Sequence, residues 1–533
     1  MLRKVIILLL LVVLFKGIVW SLFIPLWQFP DEQAHFAHVA FNVEDDHLLI
    51  NKTKSYTNLT KEIYISEVAL RTERDGAGNN KFTYHPKFRI PCLSGFDGDK
   101  ENEIKNLSLE SRRETVKYED AAYPDFFYDL SGLIYRLFYP TDLFVRVFLI
   151  RLFWILLYVG IVLFSFKIAL RIFKSSFLAL ISAILVSFQP MLTFVASGIT
   201  SDNLHNFLYT LVIYFCLKLL DEGYNFKDLS LLAVITGLGL KTKPQFLISF
   251  SIIIPVILFM IFKQISKKRI KPLMGSIFLF FILLYLFGGN LQLRLYLENI
   301  DRGVWFPFFD IGKNVPNYSF WAHLKWSIRH TVYEVLPWYW GVFRWLSFVL
   351  PRWVNRVFMR ILAVAGLGLL IKFFQILKRK EFNKKNLLFI FIFYVNLSYF
   401  LALLLWDWKF FQAHNFSFGI QGRYYFPAIV SQMILLVAGI QSFLNFVSKK
   451  ILKGGLLILA LWFVFVNSYA FYLVAGSYYN ENKISDLIRC ASQYKPWFAK
   501  GNWLLISLTV YLITMIFFIY YLLKLRLSLK HED

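Results

Sequence analysis

The sequence predicts an all-α polytopic membrane protein with a bundle of about 12 transmembrane helices. Three observations predict it. The first is composition. Of 533 residues, 57% are hydrophobic and 19% aromatic, and only 17% are charged; mean hydropathy is +0.53. A typical soluble chain has about 25% charged residues, so a soluble globular enzyme is excluded. The aromatic content excludes an intrinsically disordered chain. The second is a series of continuous apolar runs of spanning length. The third is the basic surplus, 58 Lys+Arg against 34 Asp+Glu, which comes in bursts between those runs. A net charge of +24 then sets orientation in a membrane and does not point to nucleic acid.

The runs lie near 5–26, 145–169, 176–197, 203–220, 244–262, 273–289, 356–377, 387–406, 424–446, 454–476 and 503–524, with a shorter one near 229–240. At about 20 residues per span they give roughly eleven to thirteen helices. They are continuous, not alternating, so a barrel is excluded and strands are not expected. The first run begins with Arg3 and Lys4 and no small-residue cleavage site follows it, so it reads as an uncleaved span with its N-terminus inside. Alternation then places Lys167–Lys174, Lys263–Lys271, Lys378–Lys385, Lys449–Lys453 and Lys524–Lys530 on the cytoplasmic side, as the positive-inside rule requires. Only Asp221–Asp228 breaks the pattern. An even number of spans with both termini cytoplasmic follows. Residues 1–533 form one integral-membrane unit with three large outer segments, 27–144, 291–355 and 477–502. No internal repeat is visible. Cys92 and Cys490 both fall outside, which leaves one disulfide open though no local pattern supports it; Cys216 lies inside an apolar run. The sequons at Asn51, Asn58 and Asn106 are short enough to arise by chance.

The chemistry-bearing residues collect at the outer ends of the spans. Pro30, Asp31, Glu32, His35 and His38 follow the first span directly. Carboxylates at a membrane boundary must face water or a protein cavity. Pro30 suits a first helical turn, with Asp31 and Glu32 at the positive end of the helix dipole. A carboxylate there can act as general base; the plain alternative is an acidic start to an interfacial helix. Asp202 is either a helix N-cap or a site residue, with Asn203 and His205 beside it. Lys241 and Lys243 fall on the outer side against the charge rule, where they suit a lipid phosphate. The alternatives are snorkelling or a different topology over 229–244. Arg423, between Gly422 and Tyr424, reads on residue type as an anchor in an aromatic belt. Trp338 and Trp340 offer sugar stacking or the same belt, and Arg344 reads as Arg423 does. Tyr84 and His85 are candidate acceptor contacts. Tyr123 and Pro124 read as part of a helix along the membrane, and Lys16 as snorkelling or paired internally. No zinc, P-loop or dinucleotide motif occurs, and no residue pattern indicates a metal or other cofactor, though a divalent metal is compatible.

Several motifs occur in one order: PDEQAHF at 30–36, AYPDFFY at 122–128, TSDNLHN at 200–206, GLGLKTKP at 237–244, WYWGVFRW at 338–345 and QGRYYFP at 421–427. Together they resemble a bacterial multi-pass family of predicted membrane proteins grouped with the GT-C superfamily of membrane glycosyltransferases. Asp125 stands where that family usually has a second proline, and Arg344 where it has glycine. The resemblance implies a GT-C-like bundle in the bacterial cytoplasmic membrane with an extracytoplasmic site. It implies transfer of a sugar from a polyprenyl-phosphate carrier to an acceptor hydroxyl on a cell-envelope glycan, lipid or protein. An acidic residue in the first outer loop is then essential, which carries over to Asp31 first and Glu32 next, with His35 and Asp202 in support. Lys241, Lys243 and Arg423 would hold the donor phosphate. Tyr84, His85, His205, Trp338, Trp340, Arg344 and Tyr424 would meet the substrates. A transporter of a lipid-linked sugar and a non-catalytic scaffold are the rival readings. A transporter would place polar residues at the bilayer midplane, whereas these collect at one face.

Overall fold

A computed structural model of the chain describes residues 1–44, 56–75, 78–92, 98–120, 124–266, 270–290, 318–379, 383–479 and 483–528. Asn51, Tyr123, residues 291–317 of the second large segment and parts of three basic segments lie outside the described residues. Among the described residues ten helices are long and apolar enough to cross a membrane. They are α1 (Leu2–Phe23), α7 (Leu143–Phe173), α10 (Asp202–Glu222), and the helical stretches Pro244–Ser266, Ile270–Gly289, Arg352–Lys378, Lys384–His414, Gly422–Val447, Leu452–Tyr479 and Asn502–Leu525. An eleventh is the pair α8 (Ser176–Ser187) and α9 (Pro190–Ala196), bent by 63°. Pro190, at the first position of α9, supplies no backbone N–H, so the helix breaks there. The short run expected near 229–240 is α11 (Phe226–Leu240), 15 residues long. At 1.5 Å per residue it covers roughly 22 Å, less than a hydrocarbon core of about 30 Å.

Two side chains inside the bundle show how the break is held. Lys16 of α1, fully buried, donates to the carbonyl of Ser187, and so does the hydroxyl of Tyr158. A cation at the C-terminal end of α8 opposes its dipole and satisfies a carbonyl freed by the bend. Lys16 therefore pairs internally. At the opposite end of α7 from the site, Asp221 lies within 3.2 Å of Arg171, 3.1 Å of Lys174 and 3.1 Å of Lys384. The acidic segment that broke the charge pattern thus neutralises three neighbouring cations.

The segment between α1 and α7 carries α2 (Glu32–Glu44), α3 (Lys61–Leu70), α4 (Gly98–Lys105), α5 (Leu109–Arg112) and α6 (Phe126–Leu137). Contrary to the expectation of no strands, it also holds an antiparallel pair, β1 (Tyr56–Thr60) with β2 (Thr115–Asp120). A second short pair joins β3 (Val342–Phe343) to β4 (Phe348–Val349). Both ladders lie between spans, where chain segments are free to pair. Cys92 and Cys490 form a disulfide across 398 residues, with Cα atoms 5.5 Å apart, so the segment before α7 and the segment before the last span are tied together. Cys490→Ser is expected to cost about 2–4 kcal/mol. A thermal melt checks this: wild type in reductant should fall to the variant's midpoint, and the variant should ignore reductant.

Candidate functional site

The site begins where α1 ends. Its last carbonyls would be orphaned in a buried environment, and two cations take them. Arg151 of α7, fully buried, donates to the carbonyls of Ser21 (3.0 Å), Ile24 (3.3 Å) and Pro25 (3.1 Å). Lys495, also fully buried, donates to Leu22. Arg151 then grips Glu32 at both oxygens, Nε to Oε1 at 2.7 Å and Nη2 to Oε2 at 2.5 Å. Glu32 also accepts from the N–H of Trp27 (3.1 Å) and of Ile199 (3.2 Å). Gly198 lets that second strand of contacts close, since a Cβ there would lie 2.3 Å from the Phe29 ring. The helix starts later than expected and leaves Pro30 and Asp31 outside it. α2 begins at Glu32, and Asp31 precedes it with φ 54°, a left-handed conformation that Asp tolerates better than most residues. It turns the Asp31 side chain outward, leaving it 44% exposed while Glu32 is sealed.

Two clefts meet at this corner. The first is lined by Asp202, His205, Lys243 and Arg423 and by an apolar wall that includes Tyr399, Leu403, Trp406, Phe418 and Tyr424. The second, the roomier of the two, is lined by Gln28, Phe29, Asp31, Thr83, Trp345, Gln421 and Arg423 among others. Arg423 borders both. Its Nη2 donates to Asp31 Oδ2 at 3.3 Å, and Arg74 approaches Asp31 Oδ1 at 3.9 Å. Lys243 Nζ sits 2.5 Å from Asp202 Oδ1. Gly422 is needed beside Arg423, because a Cβ there would lie 2.3 Å from the Tyr339 nitrogen.

The structure thus brings together Asp31, Asp202, Lys243, Arg423, His205 and Tyr424, which are far apart in sequence. His35 lies behind Asp31, with Nδ1 2.9 Å from the Tyr128 hydroxyl. Other expected residues fall elsewhere. Glu32 serves the Arg151 clamp and lines neither cleft. Asp202 is not an N-cap: Ser201 holds that position, and Asp202 is the first helical residue. Lys241 ends α11, half-buried, and lines neither cleft. Tyr84 and His85 are exposed, because Phe82 and Phe88 take the inward positions and pack edge to face at 4.7 Å. Trp340 belongs to the core, stacked on Phe358 at 3.8 Å, and Trp338 lines neither cleft. Arg344 borders the second cleft but turns its guanidinium to the carbonyls of Pro86 and Phe88. Its φ of 53° gives a physical reason for glycine at the matching position in the resembled family. Asp125 pairs with His38 at 2.8 Å, so this departure from proline adds a buried contact. Sequence reasoning missed Arg151, Arg74, Lys495 and Gln28. Arg151 had a signal, an arginine inside an apolar run; the others had none. Among the described residues no group of three His, Cys, Asp or Glu is placed to hold a metal ion.

Burial raises the Asp31 carboxyl, but Arg423, His35 and Arg74 outweigh it and hold the group below its ordinary value. Burial pulls the His35 imidazole down to about 3, against the attraction of Asp31. Unfolded His titrates near 6.5, so between about 6.5 and 3 the unfolded chain takes up a proton that the folded one refuses. Stability therefore falls as pH drops through that window. Asp31 adds a loss only further down, below about 4. The melting temperature of wild type is expected to decline from pH 7 to pH 4, and His35→Gln to flatten the slope. An unchanged slope in the variant would remove His35 as its cause.

A family profile described as "Predicted membrane protein (DUF2142)" matches residues 14–431, and the chain belongs to this family. No curated protein sequence matches it. Solved structures to which it is similar include ArnT from Cupriavidus metallidurans bound to undecaprenyl phosphate, at 14% identity and TM-score 0.37, over 86% of this chain and 74% of that one. The apo state of ArnT gives 16% identity and TM-score 0.35, over 74% of this chain and 65% of that one. The oligosaccharyltransferase AglB from Archaeoglobus fulgidus, in complex with an inhibitory peptide and a dolichol-phosphate, gives 13% identity and TM-score 0.40. It is matched over 85% of this chain and 56% of its own length. The chain thus spans about two thirds of apo ArnT and little over half of AglB. At these scores the likeness is loose, and function must be argued from the site itself.

Proposed function

We propose that this member of the predicted membrane protein family is a GT-C-type glycosyltransferase that moves a sugar from a polyprenyl-phosphate carrier to an acceptor hydroxyl at the outer face of the membrane. The observation that carries the reading is the position of Arg423, shared by a cationic, aromatic-walled cleft and by the cleft that exposes Asp31. In the first cleft Lys243 and Arg423 take the donor phosphate, and Tyr399, Leu403, Trp406 and Tyr424 flank the start of the prenyl chain. Asp202 fixes Lys243. In the second cleft the acceptor oxygen reaches the anomeric carbon from the side of Asp31. The new C–O bond forms as the bond from the anomeric carbon to the phosphate oxygen breaks. The acceptor proton passes to Asp31, and polyprenyl phosphate leaves with the electron pair. The two cations stabilise the charge that grows on the phosphate. Donor binding also draws Arg423 away from Asp31, which weakens the pull that holds this carboxyl low and makes it a better base. In this reading both clefts lie at the extracytoplasmic end, as the alternation and charge pattern of the sequence lead one to expect.

The test is reconstitution with polyprenyl-phosphate-linked sugars and a panel of envelope glycans, lipids and peptides, reading glycosyl product. Vesicle flux of the carrier with no product on any acceptor would sink the assignment in favour of transport. Arg423→Met is expected to weaken undecaprenyl phosphate binding about 10–100-fold, as expected for a charge-assisted bond of about 1.5–3 kcal/mol. Quenching of tryptophan fluorescence, with Trp406 in the cleft wall, reads this directly.

A further inference from the structure

One side chain in the second cleft has no role so far. Gln28 is 1% exposed and lines the cavity. Neither its amide nitrogen nor its amide oxygen has a hydrogen-bond partner among the described residues. Buried amides are almost always satisfied, so an unpartnered amide on a residue of the cavity wall can take its partner from something that enters the cavity. The group offers a donor and an acceptor side by side in one plane. Two neighbouring hydroxyls, one accepting and one donating, complement it.

The rest of the cleft is mixed, with an apolar part that includes Met191, Phe194, Val342, Phe343 and Leu346. Thr83 and Gln421 bring further uncharged polar atoms, and Phe29 and Trp345 supply aromatic faces. Among the described residues no lysine lines this cavity. Of its two arginines, Arg344 is committed to backbone carbonyls and Arg423 to Asp31. An anionic acceptor would find no uncommitted cation here, and an alkyl acceptor would strand the amides without partners. Amides, a hydroxyl and aromatic faces around a carboxylate are the chemistry that recognises a neutral sugar.

We infer that the second cleft is a carbohydrate subsite, that the acceptor is a neutral glycan, and that Gln28 selects it by holding two adjacent hydroxyls. The assignment as acceptor rests on the proposed transferase reading; the sugar binding itself does not. The experiment uses the full chain in nanodiscs and saturation-transfer NMR with neutral disaccharides of glucose, galactose, mannose and rhamnose. At least one disaccharide should bind, and Gln28→Ala should weaken it 10-fold or more. Gln421→Ala, on a separate segment of the wall, should weaken it as well, which guards against a misfolded Gln28 variant. Undecaprenyl phosphate binding should stay within 2-fold in both, which confirms an intact bundle. No binding of any neutral disaccharide, or binding indifferent to both substitutions, overturns the inference. Transfer onto a peptide or a lipid hydroxyl in that event leaves the transferase reading standing. Sugar binding that depends on Gln28 with no transfer from any donor supports the subsite and sinks only the transferase reading.

Discussion

Glu32→Gln is expected to destabilise the protein by about 3–5 kcal/mol, the usual cost of removing one partner from a buried ion pair. Glu32 and Arg151 are both fully sealed from solvent. The variant would leave a guanidinium with no counter-charge between α1 and α7. It would also weaken the acceptor for the N–H groups of Trp27 and Ile199, so the turn bearing Asp31 loosens with it. The measurement is thermal unfolding in detergent, paired with a double-mutant cycle against Arg151→Met. A large coupling energy between the two positions is expected. If Glu32→Gln melts like wild type and only activity falls, the chemical role belongs to Glu32 and the assignment of the two carboxylates is reversed.

Asp31→Asn is expected to do the opposite. Its side chain is half-exposed at a cleft, so the melting temperature should fall only slightly, by the modest stability its ion pairs with Arg423 and Arg74 supply. Transfer should fall about 10²–10⁴-fold, the range for losing a general base. Binding of undecaprenyl phosphate should hold or tighten, because Arg423 and Arg74 lose the anion they now share. The split between an unimpaired lipid affinity and a collapsed turnover separates chemistry from positioning. Turnover at the wild-type rate would exclude Asp31 from the reaction.

Adjacent residues with such different expected behaviour show what a sequence can and cannot convey. The apolar runs and basic bursts carry the span pattern because membrane insertion depends on those quantities locally. The gathering of Asp31, Asp202, Lys243 and Arg423 at one end was legible through alternation, which assigns ends without needing contacts. The choice between Asp31 and Glu32 was not. It turns on a left-handed φ at Asp31 and on an arginine 119 residues away. Likewise Lys243 and Lys241 look alike in GLGLKTKP, and only the turn after α11 aims one of them at Asp202. Trp340 and Trp338 could not be told from a sugar platform by residue type, since stacking on Phe358 is a tertiary fact. Gln28 and Lys495 carried no pattern at all. Their significance comes from what surrounds them.

The clamp on the end of α1 has a consequence for biosynthesis. A ribosome releases α1 long before Arg151, and Arg151 long before Lys495, whose ammonium meets the carbonyl of Leu22 across 473 residues. Chains fold from the N-terminus as they emerge, so the first helix must wait in the membrane with its terminal carbonyls unclaimed. Its corner is completed only when the last tenth of the protein has been translated. A nascent chain truncated before that point would hold most of its helices and an unfinished Asp31 corner. The order of synthesis itself thereby leaves the corner beside Asp31 one contact short until the protein is nearly whole.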